Sequence, residues 1–220
     1  MIKKGRGKVE AFIRNDQYNF IQQQVRTLIN GHATVTDTGV LDALKSLALE
    51  KVLKQFAEIN DNQKRILNSV TKMEDRVDAE IFLAQLKAYV IPFPALTETQ
   101  LLKLFPKVKK LKVPSLEQLD LKATTYLSWI DKGSSKKFIV APYHDKLTGL
   151  QGTFTRLNQQ GICMLCNSLE EVGMFVSEEK GKEQGTFVKK GKYICQNSQI
   201  CNHNITTLDK LINFIRHLSK

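Results

Sequence analysis

Four cysteines are the residues whose type and spacing point most directly to chemistry, and all four lie in the last 58 residues of the 220-residue chain. They read Cys163-Met164-Leu165-Cys166 and, after 28 residues, Cys195-Gln196-Asn197-Ser198-Gln199-Ile200-Cys201. A C-x2-C pair sets two thiolates about one turn apart, which is the spacing of a zinc knuckle. Two pairs brought together complete a tetrahedral shell with Zn–S distances near ~2.3 Å. The second pair, C-x5-C, is looser than the usual spacing. The order of knuckle, hairpin, second pair and closing helix is that of a treble-clef zinc module, in which ligands come from a knuckle and from the start of a helix. The competing readings are two disulfides, which a cytosolic chain rarely keeps, and a C-x-x-C redox pair, which leaves Cys195 and Cys201 unexplained. With four thiolates to hand, His203 is expected beside the shell or exposed rather than as a ligand. Four protein ligands leave no open position for water or substrate, so the expected ion is a single structural zinc on which folding of the module depends.

Other chemistry is sparse. There are four histidines (His32, His144, His203 and His217), and no G-x-S-x-G, G-x-x-x-x-G-K-[ST], H-E-x-x-H or G-x-G-x-x-G sequence. His144-Asp145 sits among turn formers beside Pro142 and reads as a solvated loop rather than half of a triad. His217 falls opposite the apolar stripe of the last helix and is expected to be exposed. The chain is therefore expected not to be an enzyme, with no catalytic residues and no small-molecule substrate.

The elements that position the cysteines follow from periodicity. Tyr18, Ile21, Val25 and Leu28 recur at threes and fours from Asp16, with Asn30-Gly31 as a stop signal. Thr36 or Asp37 offers an N-cap to a second helix whose stripe runs Leu41, Leu44, Ala48, Val52, Phe56 and Ile59. A third helix starts near Asp61 with Ile66, Val70 and Met73 on one face. A fourth runs from Asp75 or Asp78 through Phe82, Leu86 and Tyr89, and Pro92 and Pro94 end it. Residues 1–90 thus read as a helical bundle domain.

Beyond the breaker, a short helix near residues 97–105 precedes β-favouring runs at 124–129, 137–140, 150–155, 172–176 and 187–195, separated by Gly, Ser, Asp and Asn. These imply an antiparallel sheet. A closing helix capped by Thr206 or Thr207 buries Leu208, Leu211, Ile215 and Leu218. The fold class is α+β: an N-terminal helical bundle followed by an antiparallel, zinc-binding domain over 91–220.

Composition sets the remaining bounds. Hydrophobic residues make up 42% of the chain, too many for intrinsic disorder, and no apolar run is long enough to cross a bilayer. A basic start without a following apolar region does not read as a signal peptide, so a cytoplasmic location is expected. The net charge is +11. Up to Phe93 there are 14 basic and 11 acidic residues; beyond it there are 19 and 11, so the positive field lies mainly in the second part.

Several motifs together resemble the FusB/FusC-type elongation factor G-binding proteins, associated with fusidic acid resistance. They are Tyr89-Val90-Ile91-Pro92-Phe93, the run from Phe105-Pro106-Lys107-Val108 to Lys112-Val113-Pro114, and Asp120-Leu121-Lys122 leading to Trp129. Val188-Lys189-Lys190-Gly191-Lys192-Tyr193-Ile194-Cys195 and the Cys163/Cys166 knuckle complete the set. The resemblance implies an N-terminal helical bundle, a C-terminal treble-clef zinc finger, and binding of elongation factor G through the zinc-bearing domain. It also implies release of the factor from ribosomes on which fusidic acid has trapped it, with no covalent chemistry on the drug. Lys190, Tyr193 and Phe214 match the family's factor-binding face. Ile162, immediately before the first cysteine, stands where the family has Phe. Phe214, about 60° beyond Leu211 on the closing helix, is expected at the edge of the apolar stripe with its ring partly exposed. Ordinary core packing is the alternative for Phe214 and Tyr193.

The lysines of 103–112 have two readings: an electrostatic footprint toward an acidic partner or ribosomal RNA, if Lys107, Lys109 and Lys110 share a face, or a solvated edge strand protected from aggregation. The leading expectation is a monomeric elongation factor G-binding protein acting near the ribosome. The alternative is a zinc-finger protein that binds ribosomal RNA directly.

Overall fold

The structure is a computed structural model that describes residues 10–108, 111–131, 133–181, 183 and 185–218. It divides into two compact units, residues 1–91 and 92–220.

In the first unit four helices form around one apolar cluster: α1 (Asn15–Thr34), α2 (Thr38–Leu53), α3 (Asp61–Asn68) and α4 (Arg76–Leu86). Side-chain caps set three of the starts. The Asp37 carboxylate accepts from Val40 N at 3.1 Å, Asn60 Oδ1 from Gln63 N at 2.9 Å, and Asp75 Oδ1 from Asp78 N at 2.9 Å. Tyr18, Ile21, Val25 and Leu28 of α1 pack with Ala48, Val52, Leu67, Val70, Phe82 and Leu86.

Several boundaries depart from the periodicity: α3 ends at Asn68 and α4 at Leu86, so Val70 and Tyr89 lie in the 3-10 turns that follow them. Helix α1 runs through Asn30-Gly31 to Thr34, because Gly31 answers to packing rather than termination: a Cβ there would meet Leu44 Cδ1 of α2 at 2.9 Å. Helix α2 stops at Leu53, so Phe56 and Ile59 pack on the cluster from the following turn. Ile13 bridges Val90 in parallel, joining the two ends of this unit.

The second unit is a five-stranded antiparallel sheet in the sequential order β1 (Leu127–Asp131), β2 (Lys136–Tyr143), β3 (Lys146–Ile162), β4 (Leu169–Lys180) and β5 (Phe187–Cys195). Three helices accompany it: α5 (Glu98–Leu104), α6 (Ser198–Asn204) and α7 (Asp209–Leu218). Residues 137–141 of β2 are all buried because the sheet is covered on both faces. Phe138 and Val140 join Phe93, Leu101 and Phe105 on one side, where the Trp129 ring stacks on Phe138 at 5.3 Å. Ile139 and Ala141 join Phe154, Phe175, Ile194 and α7 on the other, which is also the side of the cysteines.

The β2–β3 hairpin turns at His144 and Asp145, both with positive φ, which makes this pair a tight turn in keeping with its solvated reading. The register of β3 on β4 shifts between Arg156 and Gln160, and the Gln196 amide fills the irregularity by donating to Leu157 O and Val172 O at 2.7 and 3.1 Å. The edge-strand reading of 103–112 is corrected: Lys103 closes α5, Lys107 lies exposed in a turn, and none of the described residues of this run is in a strand. Lys109 and Lys110 lie outside the described residues.

Candidate metal centre and its apolar rim

The cysteines arrive from three elements. Cys163 directly follows β3, Cys166 lies in the turn before β4, Cys195 ends β5, and Cys201 sits within α6. The knuckle is tied back on itself by Cys163 N donating to Ser168 O at 3.0 Å and Asn167 N donating to Cys163 O at 2.9 Å. Asn167 takes φ 59°, a left-handed conformation that asparagine tolerates better than most side chains. Leu165 N and Cys195 N both donate to Cys163 Sγ, at 3.4 and 3.3 Å, as backbone amides do toward a ligating thiolate. Helix α6 is capped by Asn197, whose Oδ1 accepts from Gln199 N and Ile200 N. The buried Asn202 holds it against the start of β1, accepting from Thr125 N and Tyr126 N and donating to Tyr126 O.

The four sulfurs lie within 4.8 Å of one another and all are buried. Cys163 and Cys201 are 3.7 Å apart, and Cys166 and Cys195 3.6 Å. An ion about 2.3 Å from each corner of a tetrahedron requires sulfurs about 3.8 Å apart, whereas a disulfide requires about 2.05 Å. The donor set fits one structural zinc, and the pair of disulfides does not fit.

Electrostatics agree. Hydrogen bonds from Cys166, Cys195 and Cys201 hold the Cys163 thiol far below the usual thiol range, and the same crowding pushes Cys195 and Cys201 far above it. Such a set does not release four protons unaided; a divalent cation replaces them. The Tyr126 hydroxyl beside the site is raised well above its usual value by burial first and by Cys201 next. His203 is exposed and outside the sulfur cluster.

Around the knuckle the surface is apolar. Ile162 is 56% exposed and Tyr193 44% exposed, and Met164 and Leu169 are exposed as well. Backbone contacts place them together: Ile162 pairs with Leu169, and Met164 N donates to Tyr193 O at 2.9 Å. Lys190 of β5 is partly buried, its ammonium donating to Glu179 Oε2 and to His217 O, both at 2.9 Å.

The expected partial exposure of Phe214 is corrected: its ring is 4% exposed and packs on Phe175 at 5.8 Å. The buried stripe of α7 is wider than its leucines and isoleucine alone imply, because the helix lies flat on an apolar sheet face and Leu211, Phe214, Ile215 and Leu218 all turn toward it. His217 is exposed, as its helical position implies.

The sequence reading missed helix α6 and the bracing by Asn202. Asn197-Ser198 was a usable cap signal, but seven residues with one large exposed apolar side chain, Ile200, leave no periodic stripe.

Two family descriptions match the chain: "Elongation factor G-binding protein, N-terminal" over residues 12–94, and "FBP C-terminal treble-clef zinc-finger" over residues 106–215. The solved structure described as that of the fusidic acid resistance protein FusC superposes with a TM-score of 0.82 at 30% identity, covering 97% of this chain and 100% of that one. No curated protein matches. No helix among the described residues is long and apolar enough to cross a membrane.

Proposed function

The chain belongs to the elongation factor G-binding protein family with a C-terminal treble-clef zinc finger, and on that premise we propose that it binds elongation factor G and promotes the factor's release from the ribosome, relieving inhibition by fusidic acid. The observation that carries the contact is the apolar rim around a metal-braced knuckle. Ile162, Met164, Leu169 and Tyr193 are exposed on backbone that the zinc shell and the β4–β5 pairing hold rigid. A preorganised apolar surface loses little conformational freedom on binding, and an aromatic at its edge is a suitable anchor. Tyr193 and Ile162 make the contact. Lys190 and Phe214 support it, the first by fastening β5 to the end of α7 and the second by packing beneath the sheet.

Release needs more than affinity. A ligand shifts an equilibrium only by its differential affinity for the two states, so the protein must bind the released or releasing conformation of the factor better than the drug-locked one. The closed zinc shell takes no part in bond making, and the protein acts without covalent chemistry on the drug. Its place of action is the cytoplasm, where the factor and ribosomes meet, and it acts as a monomer.

The test is a sedimentation assay on ribosomes carrying elongation factor G locked by fusidic acid. Addition of the protein should move the factor from the pellet to the supernatant with the drug recovered unmodified, and Tyr193→Ala should lose most of this effect. Retention of the factor in the pellet, with the protein itself sedimenting on factor-free ribosomes in a strongly salt-dependent way, would favour direct binding to ribosomal RNA.

A further inference from the structure

Lys137 is the one lysine buried among the described residues, 2% exposed at the second position of β2. A lysine so placed needs a reason, because a buried ammonium is costly unless its charge is met. No carboxylate meets it: none of the described residues forms an ion pair with it. Asp120, the one carboxylate lining the groove of about 690 Å³ that Lys137 borders, accepts from Lys122 N. What faces Lys137 is different in kind. Its Nζ donates to Cys195 O and Gln196 O, each at 3.4 Å, and stands 4.4 Å over the centroid of the Phe154 ring. A second cation, Arg156 of β3, lines the same groove, and the Cys195 carbonyl that Lys137 reaches belongs to one of the four clustered cysteines.

Carbonyls and a ring face solvate a cation without neutralising it. Four thiolates around one divalent ion, conversely, leave two negative charges uncompensated in a buried site. We propose that Lys137 is the internal counter-ion of the metal centre, a positioning residue that meets part of the tetrathiolate charge through space and holds the Cys195–Gln196 turn by its carbonyls. It thereby strengthens zinc binding and makes the coordinated sulfurs less nucleophilic. The inference rests on the zinc shell alone and is independent of the partner proposed above.

The test uses the full chain in three forms: wild type, Lys137→Met, which keeps a similar apolar stem without the charge, and Lys137→Arg, which keeps the charge. Zinc affinity is measured at neutral pH against a competing chelator. Reactivity is measured as the rate at which N-ethylmaleimide drives zinc out of the loaded protein. Lys137→Met should lose about tenfold or more in zinc affinity, in the range seen when groups supporting metal ligands are removed, and should release zinc several-fold faster. Lys137→Arg should stay within about threefold of wild type on both readouts.

Unchanged affinity and alkylation rate in a folded Lys137→Met would overturn the proposal. So would equal losses in the two variants, since packing rather than charge would then be the cause. Should Lys137→Met fail to fold at saturating zinc, Lys137→Arg decides: affinity close to wild type supports the counter-ion role, and a tenfold loss in a folded protein contradicts it.

Discussion

The two units solve the same problem by different means. The first buries an apolar cluster of helix stripes and closes its helix starts with Asp37, Asn60 and Asp75; Asp16, its deepest carboxylate, is paired with Arg14 at 2.9 Å. The second carries buried polar groups at its centre: four thiols, which call for a metal, and Lys137 and Asn202, which backbone groups in a particular geometry satisfy. Apolar packing is tolerant of volume-conserving change, whereas a metal shell is not. The bundle should therefore fail gradually under substitution and the zinc unit abruptly.

The largest expected effect is on the metal. Chelation of zinc should remove a term of order 10–16 kcal/mol, and Cys195→Ser a large part of it; either should unfold residues 92–220 while the helices of the first unit persist, as amide hydrogen exchange would show. Because protons compete with zinc for the sulfurs, acidification should open the same unit first. Simultaneous loss of protection in both units would break the contrast. Next comes Leu67→Ala, at a fully buried position of the bundle, which should cost about 3 kcal/mol with zinc content unchanged by metal analysis.

Asn202→Ala should cost about 2 kcal/mol in the zinc unit, since it leaves Thr125 N, Tyr126 N and Tyr126 O without this partner. Differential scanning calorimetry should show only the zinc-dependent transition moving. The smallest effect belongs to Asp37→Ala, about 1 kcal/mol from one lost helix cap, confined to the bundle.

The same contrast explains what the amino-acid order disclosed. The four bundle helices, and the Asp37 cap of α2, were legible because a helix buried on one face writes its periodicity into the chain, as Ile21, Val25 and Leu28 do. The metal ligands were legible because C-x2-C has few other uses. What escaped was set by tertiary neighbours. Gly31 looked like a stop until Leu44 was seen against it. Strand β3 runs 17 residues rather than the six read from its apolar half, because from Thr155 to Gln160 most of its side chains face solvent. Phe214 turns inward because the sheet below α7 is apolar, which one helix's periodicity does not report. Lys137 carried no signal at all: a lysine is read as exposed unless the negative charge that would hold it inside is known to be there.

The proposed contact sets the exposed rim of the zinc knuckle against elongation factor G. Calorimetric titration of the zinc-loaded protein into the purified factor, without ribosomes or drug, tests it most directly. Saturable one-to-one binding, weakened at least about tenfold by Tyr193→Ala in a protein that keeps its zinc and its fold, is the predicted result. Absence of heat at tens of micromolar, or binding indifferent to Tyr193→Ala and Ile162→Ala together, would contradict it.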